Sequence, residues 1–558
     1  MTSQIASPPE HAAIEVNHRA RLEIMAAIML ALFLGALDQT IVGPVLPKIS
    51  TELNGASLYV WVVTAYLVTS TAAIPIYGKL SDYFGRKPML LVGIVLFLIG
   101  SVLSGLSQTM EELIFFRGLQ GLGAGALFPI SLAVIGDLFT PAERGKYQGL
   151  FGGVFGIAFL VGPFLGGVLT DNISWHWIFF VNVPVGLVSL YMIGRLLPMV
   201  RPADARFSLD LAGVATFIGA VVPVLIALTL AENGNWGDTS VIGWFAVGLV
   251  FLGIFIAVEA RAKDPMIPLS LFRNRTFAVS AVATFFAVFG FSVLIIFLPL
   301  WFQIVRGEST TASGYLLFPF LFGLIFSSIA AGQIVSRTGR YKMLLAVSLL
   351  VMSVGIALFH LLHGNTPLHI MWIWMLIAGL GVGPTMAIFT LIVQNDVPFA
   401  QLGTATSDLT LMRQIGTSVG LTMSFTLFRN YLTWGSIHDA VINAGAPAAS
   451  VPAVAPAAFD PSQFTAVGGS IAKALEQLPQ QLRAPFATGF YEAFSVAIAN
   501  AVIVGVAASA ISFVAVLALK EKPLRAHFHS EQAARAGLQN TAAGPAAGTA
   551  GPAAGAAE

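Results

Sequence analysis

The chain has 558 residues, of which 56% are hydrophobic and only 10% charged, and its mean hydropathy is +0.83. Soluble domains carry roughly 25% charged residues, so this composition excludes an ordinary water-soluble protein and points to one that sits in lipid. A formal net charge of +1 with no basic run gives no footprint for nucleic acid, and a chain with no cysteine has no disulfide, thiolate metal site or cysteine nucleophile.

Taken in order, the sequence opens on a polar stretch, residues 1–20, read as a tail. It has no hydrophobic core followed by a small-residue cleavage site, so a cleaved signal peptide is not expected. Apolar runs of the roughly 20 residues that a membrane span needs then recur. About fourteen are expected, centred near residues 34, 67, 98, 124, 158, 186, 220, 249, 288, 322, 352, 382, 418 and 505. An even count puts both termini on one side. One set of alternate loops carries 21 Lys and Arg, the other five, and Arg117 and Arg413 fall within spans. The positive-inside rule therefore places both termini in the cytoplasm.

Span one contains Asp38, the only acid expected well inside a span. A charged Asp near the bilayer centre costs at least about 2.5–3.5 kcal/mol, so it is expected to face a cavity or a partner. Arg117 in span four is the natural partner, since both residues sit roughly 9–12 Å inside the outer face. Desolvation and a nearby Arg pull such a carboxyl in opposite directions, and a change in that balance would let it carry a proton. A static structural ion pair is the alternative. Between spans two and three lies GKLSDYFGRK, a tight charged turn that includes Gly78, Asp82, Gly85, Arg86 and Lys87. Span five is rich in glycine and includes Gly162, Pro163, Gly166 and Gly167, small residues that let helices approach closely. Trp175 and Trp177, at the entry to span six, read as interface anchors.

The second part of the chain echoes the first. Gly332–Lys342, GQIVSRTGRYK, repeats the charged turn at an offset of 254 residues, and GLGAG at 121–125 returns as GLGVG at 379–383, an offset of 258. Two echoes at nearly one offset imply duplicated halves. The copy has Ser336 in place of Asp82 and Met375 in place of Arg117, so the ionisable groups are concentrated in the first half. The fold class expected is an all-α integral membrane protein of about 14 transmembrane helices, two pseudo-symmetric six-helix bundles plus two inserted helices. The division is 1–20 tail, 21–200 first bundle, 201–262 inserted pair, 263–520 second bundle and 521–558 disordered tail. A loop over about 430–490 faces outward. Asp408 and Arg413, toward the cytoplasmic end of span thirteen, form an inner gate or cap the helix.

Three signals fail. The glycine clusters lie inside apolar spans with no preceding strand, so they are not dinucleotide loops. His360, His363 and His369 read as solvated loop residues rather than a metal site. No GxxxxGK[ST] occurs, so ATP is not expected as the energy source.

The motifs resemble those of the major facilitator superfamily. Gly78, Asp82, Gly85, Arg86 and Lys87 match its signature loop, with Tyr83 replacing one of the usual arginines. LDQTIVGPVLP is similar to the first-span motif of the fourteen-spanning drug:proton antiporters, with Gly43-Pro44 for Asn-Val. Arg117, Gly121 and Gly123 match the span-four motif. GPFLGG at 162–167 resembles the motif that marks exporters, WHWIFFVNVPVG the span-six entry, and MRQIGTSVG a span-thirteen segment. The resemblance implies a proton-coupled efflux transporter, not an enzyme, exporting lipophilic or amphiphilic drugs or antibiotics by alternating access. Asp38 and Arg117 would couple protons, the Gly78–Lys87 loop would latch the cytoplasmic side, and no cofactor or metal is needed beyond the proton gradient. The expected partners are a small molecule, protons and the lipid bilayer of a bacterial inner membrane, with a larger efflux assembly left open and no nucleic acid. Export of an endogenous metabolite or siderophore, or import by symport, are the alternatives.

Overall fold

The computed structural model describes residues 17–55, 58–199, 210–233, 235–398, 401–452, 475 and 478–524. Most of the 1–20 tail, the 200–209 connection with Arg201 and Arg206, the 453–474 part of the outer loop, and the tail from 525 lie outside the described residues.

Among the described residues there is no strand, and thirteen helices are long and apolar enough to cross a membrane. We number them with one more in chain order. The first half comprises α1 (His18–Glu52), α2 (Tyr59–Phe84), α3 (Arg86–Leu106), α4 (Met110–Leu138), α5 (Pro141–Asn172) and α6 (Trp177–Leu196). An inserted pair follows, α7 (Leu211–Asn233) and α8 (Thr239–Glu259). The second half comprises α9 (Arg275–Val305), α10 (Phe318–Thr338), α11 (Lys342–Leu361), α12 (Leu368–Asp396), α13 (Leu402–Tyr431) and α14 (Gln480–Leu517). The helix outside the thirteen is α13, which has 30 residues but is too polar to pass as an apolar span. Its Thr, Ser, Asp408 and Arg413 are tolerated because it is enclosed by protein, against α2, α4, α7, α9 and α14.

Local chemistry sets the helix ends. Thr140 and Glu143 form a reciprocal capping box at the start of α5, with Pro141 at the first helical position. The α2–α3 turn passes through Gly85 at φ +90°, a backbone conformation that side chains disfavour. Gly339, at φ +68°, takes the equivalent turn between α10 and α11.

Each half has its own apolar core. One cluster runs through the second half from Leu271 to Leu519, and two smaller ones lie within Ile24–Leu197. The halves meet along α5 with α10 and along α2 with α13, the two symmetry-related seams of a duplicated bundle. Of the inserted pair, α7 lies against both α2 and α13, with Leu225 and Leu228 packed on Val68, while α8 packs chiefly on α7. Lys79 of α2 pairs with Asp264 just beyond α8 at 2.5 Å.

Two expectations are corrected. Trp175 is 1% exposed and stacks on His176 inside the first half, so it is a core residue, whereas Trp177 is 48% exposed. The outer segment is not all loop, because an amphipathic helix, Trp434–Asn443, buries Ile437 and Val441 and packs on α14.

Candidate functional site

Asp38 and Arg117 meet. Nη1 of Arg117 donates to Oδ2 of Asp38 at 2.7 Å, with side chains 2% and 0% exposed. Oδ1 of Asp38 accepts from Gln120 at 2.8 Å and from Asn182 at 3.0 Å. Asn182 also donates to Ser101, whose hydroxyl donates to the Phe179 carbonyl. One carboxylate thus gathers donors from α4 and α6 onto α1, with α3 tied in through Ser101. The Arg117 guanidinium lies 4.2 Å from the centroid of the Tyr66 ring on α2, a cation–π contact.

A cavity of about 280 Å³ lies beside this cluster, between the halves. Gly35, Gln39 and Tyr66 line it, but Asp38 and Arg117 do not. Tyr66 therefore separates the ion pair from the cavity, showing one face to Arg117. The first-half wall is aromatic, with Phe128, Phe151 and Phe155, and Phe128 lies 4.8 Å from Phe155. The opposite wall includes Phe291, Phe320, Thr410, Arg413, Gln414 and Thr417.

Below the cavity, at the face that carries Arg86 and Arg144, the halves are bolted together. Asp82 accepts the backbone N–H of Gly403 at 3.1 Å and of Thr404 at 2.8 Å, together with the Thr404 hydroxyl at 2.6 Å. These are the first free amides of α13, the positive end of its dipole, so a carboxylate is the matching group. Arg86 holds Asp82 at 2.6 Å and Asp137 at 3.0 Å. Gly78 lets α2 and α13 touch, since a Cβ there would collide with Ser407. Lys87 forms no hydrogen bond or ion pair among the described residues. In the pseudo-equivalent place Ser336 donates to the Ala142 carbonyl at 2.5 Å, a neutral contact where the first half uses charge. Arg144 reaches the Gln394 carbonyl across the seam at 3.1 Å, and Gln148 donates to the Gln394 side chain at 2.8 Å.

The span-five motif sits at the other end of α5. A Cβ on Gly162 would strike Thr40, and one on Gly166 would lie 2.8 Å from the Ile41 carbonyl. Here α1 and α5 are in backbone contact. Gly167 faces Thr311, and Pro163 abuts Gly314, both in the short helix Thr310–Leu316 that follows α9.

The structure does not join Asp408 to Arg413. Arg413 turns to α12, donating to the Met386 carbonyl at 2.9 Å and the Thr390 hydroxyl at 2.8 Å. Asp408 is 1% exposed, and neither carboxylate oxygen has a hydrogen-bond partner among the described residues. Asp38 is therefore not the only acid deep inside a span. Gln120, Asn182 and Tyr66 were not singled out from sequence, although Gln120 lies one turn from Arg117 and Asn182 lies within WHWIFFVNVPVG. Outside the bundle, Nδ1 of His363 is 2.6 Å from Glu492, and Nδ1 of His360 is 2.9 Å from the Ala499 carbonyl.

Residues 28–421 match the family profile described as Major Facilitator Superfamily. The chain is 39% identical over 410 residues to "Multidrug transporter protein MdtP" of Bacillus subtilis, covering 73% of this chain and 75% of that protein. It is 36% identical to "Multidrug resistance protein 3" of the same organism, over 75% and 81% of the two chains. Among solved structures it is similar to the human organic anion transporter MFSD10, with a TM-score of 0.56, 17% identity, and coverage of 73% of this chain and 94% of that one. A bacterial homologue of the human lysosomal transporter Spinster gives a TM-score of 0.55 at 16% identity, over 92% and 100%.

Proposed function

We propose that this chain, which belongs to the Major Facilitator Superfamily, is a proton-driven exporter of small lipophilic or amphiphilic compounds, working by alternating access without a cofactor. Its relatives named as multidrug transporters support drug efflux, and GPFLGG at 162–167 supports export over uptake. The loop charges support the Asp82–α13 contact lying on the cytoplasmic side, and the relatives from Bacillus subtilis support a bacterial inner (cytoplasmic) membrane setting.

The observation that carries the reading is the Asp38 cluster, a buried carboxylate one residue from the cavity wall with three donors aimed at it. When Asp38 takes a proton from outside it can no longer accept from all three. Arg117 is then released and shifts against Tyr66, which is both its stacking partner and part of the cavity wall. Proton binding and substrate release are in this way linked through one ring. Return of Asp38 to the inward side frees the proton as the halves rock about the α5–α10 and α2–α13 seams. A unit charge moved through 100 mV supplies about 2.3 kcal/mol, roughly 50-fold in concentration.

The test is substrate-induced proton movement in inverted vesicles energised by respiration. A candidate drug should dissipate the pH gradient with wild type and not with Asp38→Asn. Equal responses from both would place coupling elsewhere.

A further inference from the structure

Resting on the exporter reading, the chemistry of the cavity goes further and identifies what it holds. Its first-half wall is a block of phenyl rings, suited to a flat apolar ring system. The other wall carries Arg413, the one charged residue among the described residues that line the cavity, and no carboxylate lines it. Arg413 cannot shed its proton, and a cation enclosed in a protein within a bilayer calls for a counter-charge. Among the described residues none supplies it. Asp408, five residues away on the same helix, makes no ion pair with it, and Asp38 is committed to Arg117. Nη2 is taken by a carbonyl and a hydroxyl, both neutral, and Nε is buried without a partner among the described residues. On the same wall Thr410, Gln414 and Thr417 are further neutral polar residues.

We infer that the cavity takes lipophilic monoanions, aromatic compounds bearing one carboxylate or sulfonate, with Arg413 as the group that receives the negative charge and the phenylalanine wall as the bed for the rings. A guanidinium presents paired N–H donors that match a carboxylate or sulfonate edge to edge. A lipophilic cation has no partner here and meets a like charge. The pump therefore discriminates by charge sign, with shape read only loosely by the rings.

The experiment measures equilibrium binding to the purified full chain in nanodiscs, with empty discs as blank. Its probes are anilinonaphthalene sulfonate, the neutral phenylnaphthylamine of nearly the same ring system, and tetraphenylphosphonium. Wild type should bind the sulfonate about tenfold or more tighter than the neutral analogue, and the phosphonium weakest. Arg413→Gln should bring the sulfonate down to the level of the neutral analogue while the latter keeps its affinity, which also shows that the variant is folded. Arg413→Lys should keep a several-fold preference, since charge remains but the planar fork is lost. Three results would overturn the inference: no preference for the sulfonate in wild type, tighter binding of the phosphonium, or an equal loss of both naphthyl probes in Arg413→Gln. Binding without a gradient is independent of coupling. A lost preference leaves export standing, whereas a retained preference without gradient-driven accumulation in inverted vesicles overturns export and leaves the assignment intact.

Discussion

Asp82 of α2 caps α13 of the other half through Thr404, with its Oδ2 taking both the backbone N–H at 2.8 Å and the hydroxyl at 2.6 Å of that residue. The contact makes one carboxylate both part of the last turn of α2 and the cap of a helix 321 residues further on. Its pseudo-symmetric counterpart, Ser336 with Ala142, carries no charge. The two seams thus differ in kind, since a carboxylate crosses the α2–α13 seam whereas on the α5 side the Arg144 guanidinium reaches the Gln394 carbonyl.

The first prediction concerns that cap. Hydrogen bonds to charged groups contribute about 1.5–3 kcal/mol each, so losing even one of the three that Asp82 accepts here should shift opening by about tenfold to a hundredfold. The chain has no native cysteine, so one placed at Thr410 in the cavity wall is a clean reporter. Asp82→Ala should speed its labelling by an impermeant maleimide in inverted vesicles by at least about tenfold. Unchanged labelling would show that Asp82 does not hold this face shut.

A second prediction separates the two roles open to Asp38. Breaking a buried pair by removing one partner costs about 3–5 kcal/mol, because the other charge is left stranded. Asp38→Asn should therefore lower thermal stability in detergent, and adding Arg117→Gln should restore much of the loss. Coupled transport should stay absent in the double variant. Recovery of both would make the pair purely structural.

The pairing of Asp38 with Arg117 was legible because two rare charges at equal depth in apolar helices leave few alternatives. The rest of the cluster was not, because Gln120 and Asn182 are neutral and carry no period or charge signal. The helix α13 stands out as a span only through its length, since hydropathy measures contact with lipid and this helix faces protein and cavity. Asp408 and Arg413 are near in sequence, which leaves an inner gate or a helix cap open to them. Five residues turn an α-helix by about 140° beyond one full turn, which sends them to different neighbours. Trp175 reads as an interface anchor by residue type, yet Trp packs as well in a core as at an interface, and here it lies inside the first half.

Glycines in α1 and α5 should divide by what lies opposite them. A methyl group on Gly166 meets the Ile41 carbonyl, which cannot move without shifting α1, so Gly166→Ala should destabilise by about 1–3 kcal/mol. Gly43 has nothing within 4 Å of its would-be Cβ and lies inside the same α1. Gly43→Ala should stabilise by about 0.5–1 kcal/mol through helix propensity alone. Thermal unfolding followed by fluorescence should give shifts of opposite sign, and a drop in both would mean that open space at Gly43 is needed for another reason.

Asp408 offers the last test. Its carboxyl is buried, its two oxygens lack hydrogen-bond partners among the described residues, and its charged surroundings include two acids, Glu259 and Asp82, besides Lys79. A carboxylate is poorly matched to such a place, since Lys79 is already engaged by Asp264 at 2.5 Å. Asp408→Asn keeps the shape and removes the charge, so it should raise thermal stability by about 1–3 kcal/mol, whereas most substitutions at buried polar sites lower it. Because Arg413 makes its contacts with α12 and not with Asp408, the same variant should leave binding of aromatic anions unchanged. A fall in stability would mean that the charge of Asp408 is matched by a group it contacts in another conformation of the transport cycle.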